Sequence, residues 1–266
     1  MKEGAALVLL ILANSPAPAY AQSMSLLTSS GGELGIQISK YNYNEEVNGS
    51  FFMSTEGDKI GLTGGFTMAF EGNWYISGDG RYAFGYVNYT GSGTKGSNPD
   101  VLTELRVTAG QDFDLGSYLL SPYAGVGVRS LFNDLRGSTS TGAAGYRRYS
   151  SYTYLPLGLT HRFLWGAQSR VSTSLEYDYF VEGQQISYTT DVGATNDLKD
   201  SQKKGFGARV NVAYETAEWS AGFFYNYWNI QDSDVSSFTA PPVVFAAIEP
   251  HNMTREFGIQ FRYRFN

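Results

Sequence analysis

The chain has no cysteine, only two histidines and only eight prolines among 266 residues. Without cysteine there is no disulfide framework, no cysteine nucleophile, no zinc–thiolate site and no lipidated N-terminal cysteine. Charged residues make up just 17%, and a net charge of −6 leaves no basic footprint for nucleic acid. Long apolar runs are also missing: after residue 13 nothing approaches the roughly 18 apolar residues of a membrane-spanning helix. What the chain has in quantity is glycine, 31 residues, and aromatic side chains, with 20 Tyr, 17 Phe and 4 Trp. Disordered chains are poor in aromatics. Rich in glycine and tyrosine and poor in lysine, the composition is that of an all-β protein.

Residues 1–21 read as a cleavable secretory signal. Lys2 precedes the apolar stretch Ala5-Ala6-Leu7-Val8-Leu9-Leu10-Ile11-Leu12-Ala13, Pro16 and Pro18 break it, and Ala19-Tyr20-Ala21 supplies a small-x-small cleavage pattern. Gln22 is then the expected mature N-terminus, and residues 22–266 form one domain.

The mature chain alternates with period two in segments of about ten residues, the pattern of strands that cross a membrane in a barrel. In residues 60–70 the even positions are mostly large and apolar, including Ile60, Leu62, Phe66, Met68 and Phe70, while the odd positions are Gly, Thr and Ala. Phe257, Ile259, Phe261, Tyr263 and Phe265 oppose Glu256, Gly258, Gln260, Arg262 and Arg264 in the same way. Ten strands are expected, near 33–43, 59–70, 74–89, 100–112, 120–133, 149–163, 169–183, 204–215, 219–231 and 254–265; eight and twelve remain open at this point. Short connections alternate with long polar ones near 44–58, 90–99, 134–148, 187–203 and 232–253. That alternation predicts a closed antiparallel transmembrane β-barrel with short periplasmic turns and long extracellular loops. Phe70, Trp74, Phe113, Tyr118, Phe163, Trp165, Tyr214, Trp219 and Phe265 flank the short turns, where an interfacial girdle of amphipathic rings belongs.

Parity turns Asp79, Arg81, Glu104, Arg106, Arg129, Arg162, Glu176, Asp178, Glu182, Arg209, Glu256, Arg262 and Arg264 into the barrel. A charge facing lipid near the midplane costs about 2–4 kcal/mol. One antiparallel register sets Asp79 opposite Arg106 and Arg81 opposite Glu104, opposite signs in both pairs. Such an interior is either a charged permeation path or a satisfied network that plugs a narrow barrel. In the loops, Arg136, Arg147, Arg148, Lys203 and Lys204 are candidate contacts for lipopolysaccharide phosphates. An apolar run in the last loop, with Val243, Val244, Phe245 and Ile248, is expected either to fold as a lid over the mouth, against Phe180 and Trp228, or to contact a partner or lipid, the lid being favoured.

The C-terminal run Phe257-Gly258-Ile259-Gln260-Phe261-Arg262-Tyr263-Arg264-Phe265 resembles the terminal signal read by the outer-membrane assembly machinery, with Phe261, Tyr263 and Phe265 as its aromatic positions; Asn266 follows where that pattern ends. Asp79-Gly80-Arg81-Tyr82-Ala83-Phe84-Gly85, Leu120-Ser121-Pro122-Tyr123-Ala124-Gly125-Val126-Gly127, Asn133-Asp134-Leu135-Arg136-Gly137, Gly145-Tyr146-Arg147-Arg148 and Tyr154-Leu155-Pro156-Leu157-Gly158 resemble a broad family of small Gram-negative outer-membrane β-barrel proteins. The resemblance spans most of the mature chain and implies the fold and the membrane, not an activity.

No motif for a metal, phosphate or nucleotide is present, and no cofactor is expected. His161 falls on the lipid side of a strand. His251 lies in the last loop near Glu249, a weak base–carboxylate pair. Three readings remain: a non-enzymatic closed barrel displaying surface loops, a narrow porin-like channel for small polar solutes, and a loop-borne hydrolase. Expected partners are outer-membrane lipids, lipopolysaccharide and the assembly machinery.

Overall fold

Strands with an apolar outer face must satisfy every backbone N–H and C=O among themselves, and closure into a barrel does so without leaving an edge. The computed structural model describes residues 24–265; the expected signal at 1–21 lies outside the described residues. Ten antiparallel strands close the barrel: β1 Gly31–Val47, β2 Ser50–Ala69, β3 Trp74–Gly91, β4 Gly93–Gln111, β5 Tyr118–Ser138, β6 Ala144–Leu164, β7 Ser169–Ser187, β8 Gly205–Thr216, β9 Trp219–Ile230 and β10 His251–Phe265. Each pairs with its sequence neighbours, and β10 returns to β1, with Ile38 opposite Ile259. Two additions lie at the long-loop end: a short strand Leu198–Gln202 pairing antiparallel with the end of β7, and a separate hairpin of Ser236–Ala240 and Val243–Ala247.

The short turns fall where expected, but the strands are longer. β1 and β2 meet in a tight turn at Asn48 and Gly49, both at positive φ, and β3 meets β4 across Gly91 and Gly93. Residues 44–58 and 90–99, expected as loops, are therefore mostly strand. At about 3.3 Å per residue, a strand the length of β2 spans roughly 65 Å, far more than an apolar band about 25 Å tall requires.

That band is visible on the outer face. Leu34, Ile36, Ile38, Ile60, Leu62, Phe66, Leu105, Val107, Leu157, Phe223, Phe257 and Ile259 are all exposed and point outward, a surface suited to contact with lipid. It stops at an exposed ion pair, Lys40 to Asp58 at 3.3 Å. Trp219 stacks on Phe261, with ring centroids 6.0 Å apart, near the short-turn end.

Beyond that line the polarity of the alternation reverses. Asn42 and Asn44 face outward from β1, while Tyr41 and Tyr43 are buried inside with Met53, Ala83, Val87, Leu102, Leu131 and Leu135. This half has a protein-like apolar core.

Candidate functional site

The barrel interior holds the charged side chains, and strand register places them. β3 and β4 set Asp79 opposite Arg106 and Arg81 opposite Glu104. Arg106 Nε donates to Asp79 at 3.0 Å and Nη1 to Glu176 at 2.6 Å. Arg81 Nε donates to Glu104 and Nη1 to Glu256, both at 2.7 Å. Arg209 is the hub. Its guanidinium meets Glu104, Asp178 at 2.7 Å and Glu176 at 3.1 Å. The Tyr154 hydroxyl donates to Glu104 at 2.6 Å and accepts from Arg209 at 3.0 Å. One network thus ties strands from all round the wall, as buried charges require.

Below it lies a polar cavity of about 220 Å³, whose lining includes Gln37, Thr63, Arg81, Glu104, Arg209 and Asn226. At the short-turn mouth, Arg162 reaches Asp112 at 3.3 Å, Arg170 and Arg264 share Glu215, and Arg262 pairs with Glu33. The segment before β1 crosses this mouth. Arg170 Nη1 donates to the carbonyls of Ser25, Leu26 and Leu27, and Arg162 Nη1 to the Thr28 hydroxyl.

Above the network, aromatic side chains fill the β6–β9 side: Tyr152, Tyr154, Phe180 and Trp228, with Ile230. Trp228 packs edge-on to Tyr154 at 5.0 Å. Arg129 lies over the rings of Tyr152 and Trp228. Gly127 makes room for the Tyr154 ring, because a Cβ there would come within 2.3 Å of its Cζ. The β1–β5 apolar core faces this aromatic cluster, and the fully buried Lys59–Asp100 pair is set beside Tyr41.

Three expectations are corrected. Glu182 is not in the interior: it is exposed, because a bulge pairs Thr153 with Glu182 but Tyr154 with Phe180, and the extra residue Val181 flips the parity. Arg148 is not available to lipopolysaccharide. It is buried between Glu45 and Glu249, with Tyr43 beside it. Val243, Val244, Phe245 and Ile248 form no lid: all four are exposed, and Phe245 stacks instead on Phe238 in the separate hairpin. Phe180 and Trp228 are covered by Tyr152 rather than by that loop.

Of the other loop cations, Arg136 pairs with Asp134, Arg147 with Asp191 and Lys203 with Asp234, while Lys204 is exposed. His251 opens β10, 3.1 Å from Asn229 Oδ1 and 3.6 Å from Glu46. Its expected partner Glu249 is turned inward to Arg148 instead. Sequence reasoning missed Lys59, Asp100, Glu45, Glu249, Asp112, Arg170 and Glu215 as interior charges. Strand parity alone would have found Lys59, one inward step from Gly61, and Asp100, two inward steps from Glu104.

The Arg147–Asp191 clamp is outside the apolar belt and has a pH signature. Hydrogen bonds from Arg147 hold the Asp191 carboxyl down at about 2, against an ordinary 3.8. The stabilisation is complete above the ordinary value and is lost as pH falls through about 2. In Arg147→Ala, an NMR titration of the Asp191 carboxyl should move back up toward 3.8; an unmoved midpoint would show that the clamp does not hold it.

No protein-family model matches the sequence, and no curated protein matches it. Among solved structures, the chain is similar to the translocator domain of the autotransporter NalP from Neisseria meningitidis, at 12% identity over 90% of each chain with a TM-score of 0.43. It is similar to the Pseudomonas putida toluene transporter TodX, at 8% identity over 88% of this chain and 89% of that one, TM-score 0.40. It is similar also to Ail, the attachment invasion locus protein of Yersinia pestis, at 11% identity over 90% of this chain and all of that one, TM-score 0.33. These are outer-membrane β-barrel proteins, and this chain is a closed antiparallel β-barrel of ten strands.

Proposed function

We propose that the protein is an integral, non-enzymatic barrel of a Gram-negative outer membrane, exported through residues 1–21, that is closed to solute and displays its extracellular end for binding or envelope integrity. The observation that carries this reading is the filled cross-section beyond the apolar belt. Trp228 and Tyr154 are 1% and 0% exposed, and Leu102 and Leu131 occupy the opposite wall. Below them the Arg209 network joins β3, β4, β6, β7 and β8, and the segment before β1 is held by Arg162 and Arg170 at the short-turn mouth. A porin-like path needs a continuous water column, and the two buried apolar clusters above the 220 Å³ cavity argue against one.

Outer-membrane lipid surrounds the belt. Phe261, Tyr263 and Phe265 present the aromatic stripe that the assembly machinery would read. Lipopolysaccharide phosphates are left with Arg136, Arg147, Lys203 and Lys204, of which only Lys204 is exposed without an ion pair among the described residues, so this contact is a minor one. Purified protein in a planar bilayer should give no stable unitary conductance steps. Reproducible steps would replace the closed-barrel reading with the narrow channel.

A further inference from the structure

Between Asp234 and Glu249 no residue carries a charge, and this stretch forms the hairpin that stands apart from the barrel. Its two edges differ. The Ser236–Ala240 edge is covered: Thr195 N donates to the Thr239 carbonyl at 2.7 Å, Thr239 N donates to Asn196 Oδ1 at 2.8 Å, and Asn196 Nδ2 donates to the Ser237 carbonyl at 3.3 Å. The Val243–Ala247 edge is bare. Among the described residues its backbone bonds only to its own hairpin partner. Val243, Val244 and Phe245 are 46%, 66% and 45% exposed. Exposed edges are ordinarily blunted by lysine, proline, a bulge or a covering segment, and no such device lies on this strand.

We propose that Val243–Ala247 is a homotypic docking strand, which adds antiparallel to the same strand of a second copy of this chain. The reading rests on the surface-display function but not on whether the lumen conducts. Register supports it. Ser237 and Thr239 turn their backbone groups away from the hairpin, toward residues 195 and 196. Their partners Ala246 and Val244 therefore turn theirs to the bare side, as non-hydrogen-bonded pairs do. A two-fold axis at Phe245 sets Val244 of each copy opposite Ala246 of the other, so every free N–H and C=O of those residues is used. The same register sets Val243 against Ala247, large against small, brings Phe245 to Phe245, and opposes no like charges. Insertion into lipid would leave those backbone groups unpaired in hydrocarbon, which is costly. Five residues bury little surface, so each contact is weak and depends on the density of barrels in the membrane.

The absence of native cysteine makes the test direct. Facing residues of a non-hydrogen-bonded antiparallel pair are about 4.5 Å apart at Cα, within disulfide range. Full-length Phe245→Cys, reconstituted in phospholipid vesicles and treated with oxidised glutathione, should give about tenfold more covalent dimer than Val243→Cys or Thr239→Cys, whose thiols do not meet their own copies. Adding Val244→Pro, which removes an outward N–H, should abolish the Phe245→Cys dimer while the barrel stays folded. Equal dimer in all three cysteine variants would overturn the proposal. So would folded Phe245→Cys that remains monomeric, or wild type whose hairpin engages protein-free vesicles without dimerising.

Discussion

Arg209→Ala is expected to destabilise the barrel by at least about 3–5 kcal/mol, as breaking a buried ion pair from one side does. The loss should be at the top of that range or beyond it. Arg209 serves Glu104, Glu176 and Asp178 together, and removing it leaves buried Asp178 without a cation while Glu104 keeps only Arg81 and Glu176 only Arg106. Arg209→Lys should rescue little, because a point charge cannot replace a planar fork held by several acceptors. The contrast is Lys40→Ala, which breaks an exposed pair with Asp58 and should change stability by about 0–1 kcal/mol. Urea unfolding of protein refolded into lipid measures both. If Arg209→Ala behaves like Lys40→Ala, water reaches the network freely and the interior is wet.

The sequence reveals the fold only as far as lipid enforces it. Leu34, Ile36 and Ile38 alternate against polar partners because one face must meet hydrocarbon, and that alternation locates strands, turns and the inward position of Arg106 and Glu104. It fades at Lys40 and Asp58. Beyond them, Asn42 and Asn44 face water while Tyr41 and Tyr43 face the core. Period two continues with its sign inverted, so residues 44–58 look like a polar loop when they are an extended hairpin.

The interior was legible residue by residue, and was misplaced wherever local geometry broke the count. Val181 is one extra residue in β7, enough to turn Glu182 outward, and no composition signal marks it. Arg148 looked like a loop cation because its partners Glu45 and Glu249 are about a hundred or more positions away in sequence. The apolar run at 240–248 is unusual for a loop. Its destination depends on the loop around Asn196, which covers one edge of the hairpin.

Combining Tyr154→Ala with Trp228→Ala should open the barrel. The two rings pack edge to face, between the polar cavity below and the charged cluster around Arg148 above. Each truncation of a buried aromatic costs about 3–5 kcal/mol where the void stays empty. Here the void has Arg129, Arg209 and Glu104 on its walls, groups that can hold water in it. A hydrated gap on the β6–β9 side would join the cavity to the extracellular end, so unitary conductance absent from wild type should appear in the double variant. Strand circular dichroism and protease resistance establish that the variant is folded. A folded double variant that stays silent would show that Tyr41, Met53, Leu102 and Leu131 seal the lumen alone, and that the aromatic cluster serves stability rather than closure.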